Sequence, residues 1–287
     1  MAQIKKGYVD TSDGQIHHQI CEGGDGDPLV LIHMTASAAN SYDALMEELA
    51  GKYTTIACDT PNYGQSFRAD HEPSIPYAAS IWLEALDGLD VEHCHVLGHH
   101  TGASIAVEMA AQAPDRVRSV TLSGLVYTTA EENAVLAESF VQENPITDYG
   151  TQLIGAWTRV ITTMDGIDLP AEFKHRETIG TLVAGEAWNW GYRAVFAYEP
   201  VERIKQVRCP IFLATGELDR YTVDFHRRAA QDLPDARVLT AEGRGVDYLD
   251  TYAAEFAPHL IDFIDGVGKA TEGRATLMRG RAPARPV

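Results

Sequence analysis

Apolar residues in this chain fall into two alternating kinds of run. Residues 28–33 (Pro-Leu-Val-Leu-Ile-His), 95–97 (His-Val-Leu) and 210–215 (Pro-Ile-Phe-Leu-Ala-Thr) are short and almost continuously apolar, as in strands covered on both faces. Residues 53–59, 117–123 and 237–241 extend the set. Between them, residues 41–51, 77–89, 101–113, 222–232 and 251–264 carry helical periodicity, with Asp250 placed to cap the last helix. Such alternation predicts a mostly parallel sheet with right-handed crossovers and helices on both faces. Two further runs, 4–9 and 15–21, are joined by a segment ending in Asp13-Gly14. That ending predicts a hairpin at one edge of the sheet.

The alternation stops between residues 127 and 208, a mostly helix-like segment carrying Trp157, Phe173, Trp188, Trp190, Tyr192, Phe196 and Tyr198. So long an insertion between two core strands exceeds an ordinary loop. It is expected to form a helical lid, with Trp157, Trp188 and Trp190 contributing to a substrate pocket. The core then comprises residues 1–126 and 209–265. Residues 266–287, rich from Thr271 onward in Gly, Ala, Arg and Pro, are expected to be a weakly ordered tail.

Composition narrows the partners. A formal net charge of -18 over 287 residues disfavours nucleic acid and anionic membrane, which require a basic face. No run approaches the roughly 20 apolar residues of a membrane span, and the polar start of the chain lacks a signal-peptide core. The four cysteines stand far apart without a C-x-x-C pair. They read as buried thiols of a cytoplasmic protein. A small-molecule substrate is expected, and a homodimer is the one protein assembly the reading leaves open.

Chemistry concentrates at Gly98-His99-His100-Thr101-Gly102, where a strand runs into a helix. The two glycines suit a turn too tight for Cβ atoms. With its flanks, this G-x-H-x-G string resembles the nucleophile elbow of the α/β-hydrolase superfamily, with His100 in place of the usual serine. Other features stand in the same order: His33-Met34 after the third strand, Asp59-x-Pro61-x-x-Gly64-x-Ser66, the strand end Thr215-Gly216-Glu217-Leu218-Asp219, and Glu242-Gly243-Arg244-Gly245-Val246-Asp247. The resemblance covers residues 4–265 and implies an α/β-hydrolase fold. It assigns Asp219 as the acid and backbone N–H groups of Met34 and Thr101 as an oxyanion hole.

Two triad positions depart from that pattern. Serine is replaced by His100, and the late histidine by Val246, followed by Asp247. An imidazole at the apex reaches about 2 Å beyond a serine hydroxyl. His100 can therefore meet Asp219 or Asp247 directly or through one water, and serve as base or nucleophile. His33 is expected to orient the oxyanion loop at the substrate site, and His99 to pack beside the sheet. Arg244 is a candidate for a substrate carboxylate, although an exposed loop arginine is the commoner outcome. A metal site built from His33, His99 and His100 is disfavoured, because adjacent residues of an extended segment point apart. No cofactor or metal is expected.

Three functions remain open. One is hydrolysis of a small, mostly apolar ester, lactone or carbon–carbon bond next to a carbonyl. Another is cofactor-independent lyase or isomerase chemistry with His100 removing a carbon-bound proton. The third is ligand binding without catalysis on a decayed elbow.

Overall fold

A computed structural model describes residues 3–141, 143–163 and 169–279. Eight strands make one sheet: β1 (Ile4–Asp10), β2 (Gln15–Cys21), β3 (Leu29–Ile32), β4 (Thr55–Cys58), β5 (Cys94–His99), β6 (Val117–Ser123), β7 (Ile211–Gly216) and β8 (Arg237–Ala241). Their order is β1-β2-β4-β3-β5-β6-β7-β8. The first two form the expected hairpin, β2 meets β4 antiparallel, and every later pair is parallel.

The continuous apolar runs are explained by two cores, one on each face. In β3, Val30 and Ile32 face one side, where they pack with Trp82 and Leu86 of α2 (Ile75–Gly88) and Ile105 and Met109 of α3 (Thr101–Gln112). Leu29 and Leu31 face the other, against Leu45 and Leu49 of α1 (Asp43–Leu49) and Phe256 and Leu260 of the final helix. Period-two side-chain alternation thus fills both faces with leucine, isoleucine and valine.

Element boundaries shift in three places. A 3-10 turn, Ala39–Tyr42, precedes the shortened α1. The segment between β6 and β7 folds as α4 (Ala130–Phe140), α5 (Thr151–Thr163), α6 (Ala171–Ala184), α7 (Trp190–Phe196) and the short α8 (Pro200–Arg203). After α9 (Val223–Asp232), the last helix α10 spans Ala253–Arg279. It starts later than expected because Asp250 does not cap it; the Asp250 carboxylate accepts from Arg176 at 2.6 Å instead. It also continues through residues expected in the tail, where Lys, Ala, Glu, Arg, Leu and Met favour helix. The rest of that tail, residues 280–287, lies outside the described residues. Among the described residues no helix is long and apolar enough to cross a membrane.

Strand order reverses at β3 and β5: the chain passes from β3 to its neighbour β4 on one side, then returns to β5 on the other. Crevices at the carboxyl ends of strands at such a switch are where open α/β sheets bind ligands. Met34 and His100 follow those two strand ends.

Candidate active site

The elbow is a forced geometry. A Cβ on Gly98 would lie 2.0 Å from the Gly102 carbonyl oxygen, and one on Gly102 would lie 2.1 Å from that of Ile32. Only glycine fits either place. The apex His100 has φ 49 and ψ -108, a left-handed conformation that costs a non-glycine residue roughly 1–3 kcal/mol and is characteristic of functional turns. A backbone bond from its N–H to the Ser123 carbonyl, 2.8 Å, ties the turn to β6.

From this apex the imidazole reaches the acid directly. His100 Nε2 donates to Asp219 Oδ2 at 2.7 Å. The same carboxylate oxygen accepts the Thr222 hydroxyl at 2.7 Å, and Oδ1 accepts the Tyr221 N–H at 3.3 Å. Burial works to raise the Asp219 carboxyl, but the neighbouring His100 charge, the His100 hydrogen bond and the Thr222 hydroxyl outweigh it and hold it down at about 2. Asp219 is therefore a fixed anion over the neutral range. Its donor Nε2–H leaves Nδ1 as the lone-pair nitrogen of a neutral His100 ring. The orientation is enforced from below: Gly124, at φ +60, would place a Cβ 2.5 Å from His100 Cδ2 and 2.7 Å from Nε2. With that edge packed over Gly124, the opposite Nδ1–Cε1 edge is turned away from the sheet. The side chain is 18% exposed and lines a cavity of about 650 Å³.

His99, its immediate neighbour, is a different kind of imidazole. The Ser123 hydroxyl donates to Nδ1 at 2.7 Å, Nε2 donates to the Val246 carbonyl at 3.0 Å, and Tyr248 donates to Ser123 at 2.9 Å. Both ring nitrogens are satisfied. Burial, reinforced by the charge of His100, pushes it down to about 3, so His99 is a neutral strut. It clamps the Val246 backbone to the sheet beneath the cavity.

The oxyanion loop is built on β3. His33 donates from Nδ1 to the Met34 carbonyl at 2.9 Å and accepts the Thr60 N–H on Nε2 at 2.9 Å. It lies buried behind the loop rather than in the cavity. Thr35 and Thr101 share a hydroxyl contact of 2.9 Å, joining this loop to the start of α3. Met34 and Thr101 both line the cavity. Among the described residues, neither backbone N–H makes a hydrogen bond.

Other expected site residues are placed elsewhere. Asp247 is buried next to Val246 but bonds to neither histidine and does not line the cavity; burial raises its carboxyl. Val246 itself does line it. Arg244 is committed to Glu255 at 2.8 and 3.0 Å. None of the three tryptophans faces the cavity. On α5 the lining residues are Ile154, Gly155, Thr158, Arg159, Val160 and Thr162. Trp157 is not among them and is 40% exposed. Trp188 is buried with Ala36, Tyr63 and Ala184, and Trp190 is half-buried at the start of α7.

Gly124, Ser123, Thr222, Tyr248, Arg159 and Tyr192 were not anticipated. Gly124 carried a signal, a glycine directly after a core strand. The others are ordinary polar or aromatic residues whose importance depends on contacts far apart in sequence. Neither Ser104 nor Ser37 is placed as a nucleophile in this cavity: Ser104 is fully buried inside α3, and Ser37 is buried and donates to Glu177 at 3.2 Å. Neither lines the cavity.

The family model described as alpha/beta hydrolase fold matches residues 27–245. The chain belongs to that family. RutD of Azorhizobium caulinodans, provisionally named a carbamate hydrolase, is 26% identical over 248 residues, which is 82% of this chain and 89% of that protein. Among solved structures, a mutant of the N-acyl homoserine lactonase AidH, complexed with N-hexanoyl homoserine lactone, is similar with TM-score 0.76 at 20% identity, over 93% of this chain and 99% of that one. E-2-(acetamidomethylene)succinate hydrolase has TM-score 0.70 at 19% identity, over 92% of this chain and 100% of that one. At such identities the structural likenesses establish the fold alone.

Proposed function

We propose that this protein hydrolyses a small carbonyl compound, an ester, lactone or related acyl derivative, with His100 as general base on water. The observation that carries the reading is the direct 2.7 Å bond from His100 Nε2 to Asp219. It fixes the neutral tautomer whose Nδ1 lone pair is free for a proton. The related proteins named above, a lactonase and two other hydrolases, support carbonyl hydrolysis as the reaction class.

Catalysis then needs no hydroxyl nucleophile. Nδ1 takes a proton from a water, and the resulting hydroxide oxygen adds to the carbonyl carbon while the carbonyl electrons move to oxygen. The Met34 and Thr101 N–H groups stabilise that oxyanion, and Asp219 stabilises the imidazolium. Collapse breaks the bond to the leaving group, which receives the proton from Nδ1. The product acid and alcohol or amine leave, and His100 is neutral again. General base catalysis fits better than nucleophilic attack because Nδ1 adjoins the ring carbon bearing Cβ and is the more hindered nitrogen.

The test is to assay the purified protein against small esters, lactones, amides and carbamates, with a fluorophosphonate probe in parallel. The expected result is turnover of at least one class without probe labelling. Absence of turnover across the panel, or labelling of a serine that tracks with activity, would defeat the reading.

A further inference from the structure

The cavity carries an unmatched positive charge. Two arginines line it, Arg159 on α5 and Arg220 at its rim, and neither has a carboxylate partner among the described residues. Its lining carboxylate, Glu177, is already committed: Arg176 donates to Glu177 Oε1 at 3.0 and 3.1 Å, and Ser37 adds a third bond to the same oxygen. Asp219 is taken by His100 and Thr222. In a chain of net charge -18, where most described arginines find an acidic partner, a half-buried guanidinium left over in a cavity calls for a ligand.

Arg159 is also pre-positioned. Its guanidinium carbon stacks 4.3 Å from the centre of the Trp188 ring and 4.9 Å from that of Tyr192, and it donates from Nη2 to the Tyr192 hydroxyl. Tyr192 in turn donates to the Thr35 carbonyl at 3.0 Å. The neighbouring Gly191 lets α7 seat against this loop, since a Cβ there would lie 2.0 Å from Thr35 Oγ1. A continuous set of contacts therefore runs from Arg159 through Tyr192 and Thr35 to Thr101 beside the apex. Of five guanidinium N–H donors, only the one to Tyr192 is used among the described residues. Aromatic stacking holds the plane of the fork, which suits bidentate recognition of a carboxylate.

We propose that the substrate carries a carboxylate that Arg159 binds, so that the enzyme acts on a short acid bearing a second, hydrolysable acyl group. This inference rests on the hydrolase reading of the same cavity. The carboxylate lies on the Met34–Ala36 side, and the acyl carbonyl meets the amides of Met34 and Thr101. Arg220 adds attraction at the mouth without fixing the orientation.

The experiment compares monomethyl glutarate with its neutral counterpart, dimethyl glutarate, and measures glutarate binding by titration calorimetry. Wild type is expected to prefer the half-ester by at least tenfold in kcat/KM. In Arg159→Gln that preference should fall about 10–100-fold, mainly through KM, a loss in the range of a charge-assisted pair. The diester should change less than about threefold. Arg159→Lys, which keeps the charge and loses the fork, should be intermediate and guards against misfolding of the glutamine variant. Glutarate should bind wild type and His100→Ala alike, and Arg159→Gln more weakly. Equal use of both esters by wild type, or a preference that survives in both Arg159 variants, overturns the proposal. If neither these esters nor any member of the ester, lactone, amide and carbamate panel is hydrolysed yet glutarate binds through Arg159, the carboxylate site stands and the hydrolase reading falls; hydrolysis without preference has the opposite meaning.

Discussion

The two halves of the cavity are built on different physical terms. Its floor comes from the carboxyl ends of β3, β5 and β7, where backbone register fixes each group: His100 at a strained turn, Asp219 three residues past a strand, Met34 two residues past another. His100 and Asp219 are held there by short, specific bonds, His100 to Asp219 at 2.7 Å and Thr222 to Asp219 at 2.7 Å. The roof comes from α4 to α7, held by side-chain packing, ring stacking and hydrogen bonds that reach across from separate helices, such as Arg176 to Asp250 at 2.6 Å and Tyr192 to the Thr35 carbonyl at 3.0 Å. A floor of this kind suits chemistry that tolerates little displacement, and on the proposed function the roof selects what enters.

Substitutions on the two halves should therefore fail differently, the floor in kcat and the roof in KM. The largest effect below the apex itself is expected for Asp219→Asn. It removes the anion that stabilises the imidazolium and frees the amide to favour the wrong tautomer, so kcat should fall about 10²–10⁴-fold in steady-state assays. Gly124→Ala comes next. Its methyl group would displace the His100 ring edge, and a fall of roughly 10²-fold in kcat is expected with the far-ultraviolet dichroism unchanged. Thr222→Val removes one of the hydrogen bonds to Asp219 Oδ2. The expected loss is about tenfold, from a charge-assisted bond worth ~1.5 kcal/mol.

His99→Gln sharpens the contrast between neighbouring imidazoles, because its effect should appear in stability. Removing the ring should cost about 1–3 kcal/mol in urea unfolding at pH 7, since the Ser123 hydroxyl and Val246 carbonyl lose their partners. The sign of its pH dependence is fixed. A histidine held at about 3 in the folded chain binds a proton more readily when unfolded, near 6.5. Its contribution is complete above the unfolded value and is lost as pH falls through the interval toward 3. The variant should therefore show a shallower acid decline between about pH 6.5 and 3. Residual slope is expected from His95 and His226, each lowered by burial to about 4. Trp157→Ala closes the series. An exposed residue of α5 that does not line the cavity should change kcat and KM by less than about twofold.

The same division governs what could be read from residues alone. The alternating strands and helices, the edge hairpin and the elbow are legible because doubly covered strands and a glycine-flanked turn each have a steric cause that acts locally. His100 and Asp219 followed, since both sit at fixed offsets from strand ends. Asp247 was misplaced because adjacent loop residues point in different directions: Val246 lines the cavity and Asp247 does not. The roof was opaque for another reason. Helical periodicity tells that α5 has two faces but not which of its side chains end in the cavity, where Arg159 is found and Trp157 is not. The expected apolar lining is nevertheless present, with Val126, Leu136, Phe140, Val195 and Phe196 around the cavity.

In the proposed mechanism one imidazole, His100, takes over the work of two missing triad members. Measuring kcat/KM of His100→Ala on whichever carbonyl substrate the wild type hydrolyses tests it most directly. A fall of about 10²–10⁴-fold, with glutarate binding and the unfolding midpoint retained, is the predicted result. Turnover within a few-fold of wild type would contradict it.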